Sequence, residues 1–188
     1  MRNIVIVFAR KFNSLCCRIR GKTKSYKPNI EIGKGLICEK NVEINTYYGG
    51  KVYVGDNCEL RSGCKLLTYG GIIRIGNKCS VNPYTLLYGQ GNLTIGNNVR
   101  IAAQCVVIPS NHNYSDPNKP ILNQGLTNLG ITIKDDVWIG CGVRILDGVV
   151  IAEGCVIGAG SVVTKSTIPY GIYAGVPAKL IKSRRDET

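Results

Sequence analysis

One pattern constrains this chain more than any other: an aliphatic side chain recurs every six residues. From Ile133 the steps land on Ile139, Ile145, Ile151, Ile157 and Val163 without a gap. Upstream the same spacing returns in short runs: Ile95, Ile101 and Val107; Ile75, Val81 and Leu87; Val54, Leu60 and Leu66; Ile32, Cys38 and Ile44. Four residues after many of these positions stands a thin side chain, as at Cys58, Cys64, Cys79, Thr85, Cys105, Val143, Cys155 and Ser161. A period of six matches neither a helix at about 3.6 residues per turn nor a free strand alternating at about 2. It matches a short strand plus a corner, three of which close a triangular coil of about 18 residues with one aliphatic per face pointing inward. The eighteen positions named predict six coils, each bonded only to its neighbours. Triplets such as Gly55-Asp56-Asn57, Gly76-Asn77 and Gly96-Asn97-Asn98 are expected to supply the positive φ angles of the corners.

Composition agrees with an all-β chain. Among 188 residues, 53 are Ile, Val or Leu, beside one Met, one Trp and two Phe, which argues against a helical bundle. An apolar share of 44% with 19% charged residues excludes a disordered chain. No apolar run approaches the ~18 residues of a membrane-spanning helix. The nine cysteines have neither zinc-module nor disulfide-framework spacing, and most fall on inward positions, so they read as reduced, buried thiols of a cytoplasmic protein. The net charge of +12 is uneven. Residues 1–29 hold Arg2, Arg10, Lys11, Arg18, Arg20, Lys22, Lys24 and Lys27 and no acidic residue, while Ile4, Phe8, Phe12, Leu15 and Ile19 recur at helical spacing. This segment is expected to be a short basic amphipathic helix that either caps the coils or docks on the cytoplasmic face of the inner membrane. No helix-turn-helix, zinc or ribonucleoprotein pattern points to nucleic acid.

The period breaks once on a large scale. Between Val107 and Ile133 the chain takes 26 residues where six were due, so a loop over 109–130 must leave the prism. Such excursions from a compact scaffold are usually functional or disordered. This one carries the only histidine, His112, flanked by Asn111 and Asn113. Imidazole titrates near neutrality and suits a general base.

The repeats resemble those of the hexapeptide acyltransferases. The segment from Ser110-Asn111-His112-Asn113 through Asp116-Pro117, Gln124-Gly125-Leu126, Gly130-Ile131 and Asp135-Asp136-Val137-Trp138-Ile139-Gly140 is especially similar to O-acetyltransferases acting on bacterial surface polysaccharides, with the galactoside and maltose acetyltransferases as close relatives. The resemblance covers about residues 30–183. It implies a left-handed parallel β-helix over 30–183, with 1–29 as an appendage and 184–188 as a tail. It also implies a homotrimer with sites between subunits, and transfer of acetyl from acetyl-CoA to a sugar hydroxyl without a metal. His112 is then the catalytic base, its second ring nitrogen held by a backbone carbonyl or by Asp116. Gly140, Cys141, Ala159, Gly160 and Thr164 are implied contacts of the pantetheine arm. Lys165, Lys179 and Lys182 are implied partners of the nucleotide phosphates, supported by the terminal motif Ile172-Tyr173-Ala174-Gly175-Val176-Pro177-Ala178-Lys179. Asn82 and Trp138 are implied on the acceptor side, Trp138 alternatively at a subunit contact, and a backbone N–H near Gly140-Cys141 could serve the oxyanion.

One histidine cannot build the zinc triad of a γ-carbonic anhydrase, and no second histidine exists to activate Cys141 as a nucleophile. Residues 1–29 are too few for the helical domain of a serine acetyltransferase, and the chain has no room for a nucleotidyltransferase domain. An antibiotic acetyltransferase of the same fold and a non-catalytic β-helical scaffold remain as alternatives. The acceptor sugar and the hydroxyl modified, whether the acceptor is free, nucleotide-linked or lipid-linked, and whether the acyl group is acetyl or another stay open at the level of sequence.

Overall fold

The computed structural model describes residues 29–187. The proposed N-terminal basic helix lies outside these residues, apart from Asn29. The chain winds through three parallel sheets that form the walls of a triangular prism. The first face stacks Ile30–Ile32, Lys51–Val54, Ile72–Ile75, Leu93–Ile95, Ile131–Ile133 and Val150–Ile151. The second stacks Ile37–Cys38, Glu59–Leu60, Ser80–Val81, Arg100–Ile101, Trp138–Ile139 and Val156–Ile157. The third stacks Glu43–Asn45, Lys65–Leu67, Leu86–Tyr88, Val106–Val107, Arg144–Ile145 and Val162–Val163. Three faces of six strands give the six coils read from the period, and the fold is a left-handed parallel β-helix. Leu93 pairs with Ile131 and Ile95 with Ile133, so the ladder resumes in register across the excursion.

The periodic aliphatics fill the prism. From Ile133 to Val163, and upstream to Val54, every one of them is buried. Only Ile32 and Ile44, at the first of the described coils, are half-buried. Each fully buried Ile or Leu contributes about 1.5–3 kcal/mol relative to exposure. The buried corner thiols also serve the backbone. Cys58 Sγ donates to Gly76 O at 3.0 Å, Cys79 Sγ to Gly96 O at 3.0 Å and Cys105 Sγ to Gly140 O at 3.1 Å, each across to the next coil. Cys141 is the exposed exception among the described cysteines.

The corners differ from expectation in an instructive way. At the edge between the first and second faces, positive φ belongs to the third residue of each triplet: Asn57 at 56°, Lys78 at 57° and Asn98 at 58°. The leading glycine is required for a different reason. A Cβ on Gly76 would meet Gly96 O at 2.5 Å, and one on Gly55 would meet Asn77 Oδ1 at 2.5 Å, so the next coil occupies the space. What fills it is a ladder of side chains. Asp56 accepts from Lys34 N at 2.6 Å, Asn77 from Asp56 N at 2.8 Å, Asn97 from Asn77 N at 2.9 Å and Asp135 from Asn97 N at 2.9 Å.

The C-terminal end is built, not trailing. Gly171–Ala174 adds a parallel strand to the second face, and Lys179–Ser183 turns back antiparallel on it. Residues 184–187, expected as part of a tail, form a 3-10 turn docked on the prism. Arg184 donates to Gly154 O at 2.7 Å and pairs with Asp136 at 3.1 Å, while the Arg185 guanidinium lies 4.1 Å over the Tyr170 ring.

Candidate active site

The excursion leaves from the edge between the third and first faces and returns as a short antiparallel hairpin. Asn111 pairs with Thr127, and His112 with Leu126. Its residues are polar because they must satisfy one another away from the prism. Thr127 Oγ1 donates to Asn113 Oδ1 at 2.7 Å, and Asn113 Nδ2 donates to Gln124 O at 3.1 Å. Gln124 Nε2 donates to the carbonyls of Asp116 and Lys119, both at 2.8 Å, and its Oε1 accepts from Asp116 N at 3.0 Å. Asp116 closes its own turn, accepting from Asn118 N at 3.0 Å with Lys119 at 3.7 Å. That engagement weakens its case as the partner of His112. Asp147 fixes the loop's return: its carboxylate accepts from Leu129 N at 3.0 Å and from Gly130 N at 2.9 Å.

His112 is exposed at the rim of a cavity of about 570 Å³. This size lies within the usual range of small-molecule sites, about 300–1,000 Å³. Tyr69, Tyr88, Gln90, Ile108, Leu146 and Thr164 line it together with Ser110, Asn111, Leu126 and Asp147. Thr164 is thus the one implied coenzyme contact that a single chain brings to His112. Tyr69, Tyr88, Gln90 and Asp147 escaped the sequence reading. Tyr88 follows inward Leu87 and so must point outward, which was available as a signal; Tyr69 and Gln90 stand on corners where the six-residue period is silent.

The other implied residues gather elsewhere. Gly140 and Cys141 lie at the edge between the second and third faces, stacked on Ala159 and Gly160. Gly140 N donates to Ile157 O at 2.8 Å, and Gly160 N donates to Cys141 O at 2.8 Å. A Cβ on Gly140 would meet Ala159 N at 2.6 Å, so the wall there is bare backbone. Asn82 occupies the same second face, its Nδ2 donating to Ile101 O at 2.8 Å, and Trp138 is 57% exposed on that face. Lys165 is exposed just after the last coil, and Lys179 and Lys182 are exposed on the returning strand. Within one chain the third face separates Gly140 and Cys141 from His112.

Comparison with known proteins adds to this geometry. The repeat profile described as bacterial transferase hexapeptide (six repeats) matches residues 130–165. A putative lipopolysaccharide biosynthesis O-acetyl transferase of Escherichia coli is 33% identical over 147 residues, covering 74% of this chain and 75% of its own length. A probable acetyltransferase of Mycobacterium tuberculosis is 31% identical over 155 residues; the match spans 82% of this chain but only 50% of that longer protein. Among solved structures, an N-acyltransferase of Bacillus cereus, crystallised as a point mutant with dTDP and coenzyme A, superposes with a TM-score of 0.75 at 27% identity. That superposition covers 88% of this chain and 90% of the other.

Proposed function

Because this chain belongs to the hexapeptide-repeat acyltransferases, we propose that it moves an acetyl group from acetyl-CoA to a hydroxyl of a saccharide, with His112 as the base. The observation that carries the reading is the placement of the only histidine on a braced hairpin, at the rim of a cavity that also reaches Thr164 of the last coil. His112 takes the proton of the acceptor hydroxyl as its oxygen attacks the thioester carbonyl. The imidazolium then returns that proton to the departing thiolate. Direct attack needs no acyl-enzyme, and Cys141 has no histidine of its own to activate it. The Cys141 N–H meets the oxyanion, since those of Gly140 and Gly142 already donate to Ile157 O and Ala103 O within the coils, and a hydrogen-bond donor aimed there is worth about 10²–10³ in turnover.

In this reading the coenzyme's pantetheine arm lies against Gly140, Cys141, Ala159, Gly160 and Thr164, where small residues let it approach the coil closely. Lys165, Lys179 and Lys182 meet its phosphates, and Asn82 and Trp138 belong to the acceptor side. The separation of Gly140 and Cys141 from His112 by the third face supports a closed three-fold assembly, in which His112 of one subunit faces the late coils of the next. Sedimentation is expected to give a trimer; a stable, active monomer contradicts that arrangement. The description of the Escherichia coli relative supports a surface polysaccharide or its precursor as the acceptor. A lipid-linked precursor would bring the enzyme to the cytoplasmic face of the inner membrane, where the basic segment 1–27 would dock.

Replacing His112 with Ala should cost on the order of 100- to 10,000-fold in turnover while acetyl-CoA still binds. Unchanged turnover removes His112 from the mechanism. Loss of acetyl-CoA binding assigns it to the coenzyme site instead.

A further inference from the structure

Proton transfer makes no use of the tyrosines on the open edge, yet they expose aromatic surface along it. Tyr69 and Tyr88 stack with ring centroids 5.5 Å apart and planes within 8°, and both line the cavity beside His112. The aromatic surface continues beyond the cavity. One coil further toward the N-terminus, the corner holding Tyr47 and Tyr48 lies directly against the corner of Tyr69. Gly70 N donates to Tyr47 O at 3.2 Å, Thr68 Oγ1 donates to the same oxygen at 3.4 Å, and a Cβ on Gly70 would sit 3.6 Å from Tyr48 Cβ. Tyr48 is 84% exposed and Tyr47 70%. Exposed aromatic surface therefore runs from His112 along one edge over three successive coils, at about 4.8 Å per coil.

Charge decides what such a track fits. No Lys or Arg is among the described residues lining the cavity, while Asp147 is. The cation beside the two stacked rings, Lys65, is paired with Glu43 at 2.9 Å. A nucleoside diphosphate at His112 would bring two phosphates to a cavity whose described lining residues include an aspartate and neither lysine nor arginine to meet them. An uncharged sugar ring brings an apolar C–H face for the tyrosine rings and hydroxyls for Gln90, Ser110 and the phenol groups. We infer that the acceptor is an uncharged glycan of several residues. Its acetylated ring lies at His112, and the following rings lie along Tyr88, Tyr69 and Tyr48. This rests on the saccharide acceptor proposed above, and it departs from the dTDP bound by the Bacillus cereus structural relative.

The test reads binding, not turnover. Neutral gluco-, galacto- and manno-oligosaccharides of one to four residues, and dTDP-glucose, are titrated calorimetrically into the full-length protein and its tyrosine variants. Affinity for at least one neutral series should rise with length. Tyr69→Ala should weaken the disaccharide and longer members about 3- to 10-fold, with Tyr69→Phe close to wild type, and Tyr48→Ala should weaken only the trisaccharide and longer members. Three results overturn the inference: dTDP-glucose binding tighter than every neutral glycan, affinity independent of length, or no glycan affected by either alanine variant. Because no acetyl transfer is needed, a failed His112→Ala prediction would sink the proposed base and leave these titrations standing.

Discussion

The two edges that flank the first face obey opposite rules. Along the edge to the second face, three successive corners, at 55–57, 76–78 and 96–98, repeat one solution: a glycine with no room for a Cβ, an Asx side chain bridging to the preceding coil, and a residue of positive φ. Along the edge to the third face no two corners agree. One carries Tyr47 and Tyr48, the next Tyr69, the next Gln90, and the fourth opens into the hairpin of His112. Repetition closes the first edge, since the Asx side chains there accept in turn from the backbone of the coil before them. The second edge is held by particular side chains such as Asp147 and Gln124, which frees its corners to vary in length and chemistry.

This contrast is open to attack. The largest effect is expected on the regular edge. A Cβ at Gly96 would collide with Asp135 Oδ1 and the Asp135 backbone. Gly96→Ala should destabilise by about 1–3 kcal/mol, as overpacking does, and lower the melting temperature by roughly 2–4 °C per kcal/mol in a chain of this size. Turnover well below the transition should stay at the wild-type level. Full stability with lost activity would erase the division between the edges.

Asp147→Ala on the irregular edge should show the reverse signature. It removes the acceptor of the Leu129 and Gly130 N–H groups, a loss of about 1 kcal/mol, but it frees the return of the loop that carries His112. Turnover should fall by at least about tenfold, with Asp147→Asn recovering part of it because one amide oxygen still accepts. Equal turnover in all three proteins would mean that the hairpin is braced without Asp147.

The smallest effect concerns pH. The bonds from Asn97 N and Asn97 Nδ2 hold the Asp135 carboxyl below its ordinary value. A carboxylate depressed on folding contributes stability that is fully present above its unfolded pKa of about 3.9, and that is lost as pH falls through the lower folded value. Melting temperature should therefore drop below about pH 4, and Asp135→Asn should flatten that limb of the curve. An unchanged acid limb would show that the ladder does not depend on this charge.

The prism was legible because its cause is periodic. Each inward aliphatic repeats one physical requirement, so Ile133 to Val163 announce three faces before any contact is seen. The corners were half legible. Asn57 and Asn98 are residue types that tolerate positive φ, but Lys78, Tyr84, Gln104 and Tyr170 adopt it too, imposed by the coil and not by their own preference. The reason for Gly76 could not be read locally, because the atom that excludes a Cβ belongs to Gly96, twenty positions away. His112 stood out through its rarity and its place in the break of the period. The Tyr69–Tyr88 stack did not, since it pairs outward residues of neighbouring coils whose spacing in sequence, 19 residues, carries no chemical mark.

A stack of parallel coils has no intrinsic last member, and an uncovered terminal rung would offer the next molecule a template for fibre growth. Here Lys179–Ser183 doubles back across the final rung and presents an outer strand of reversed direction, with exposed lysines and a docked arginine turn behind it. Charged, reversed edges resist further pairing. The returning strand proposed to greet the coenzyme's phosphates therefore also closes the second face against further pairing.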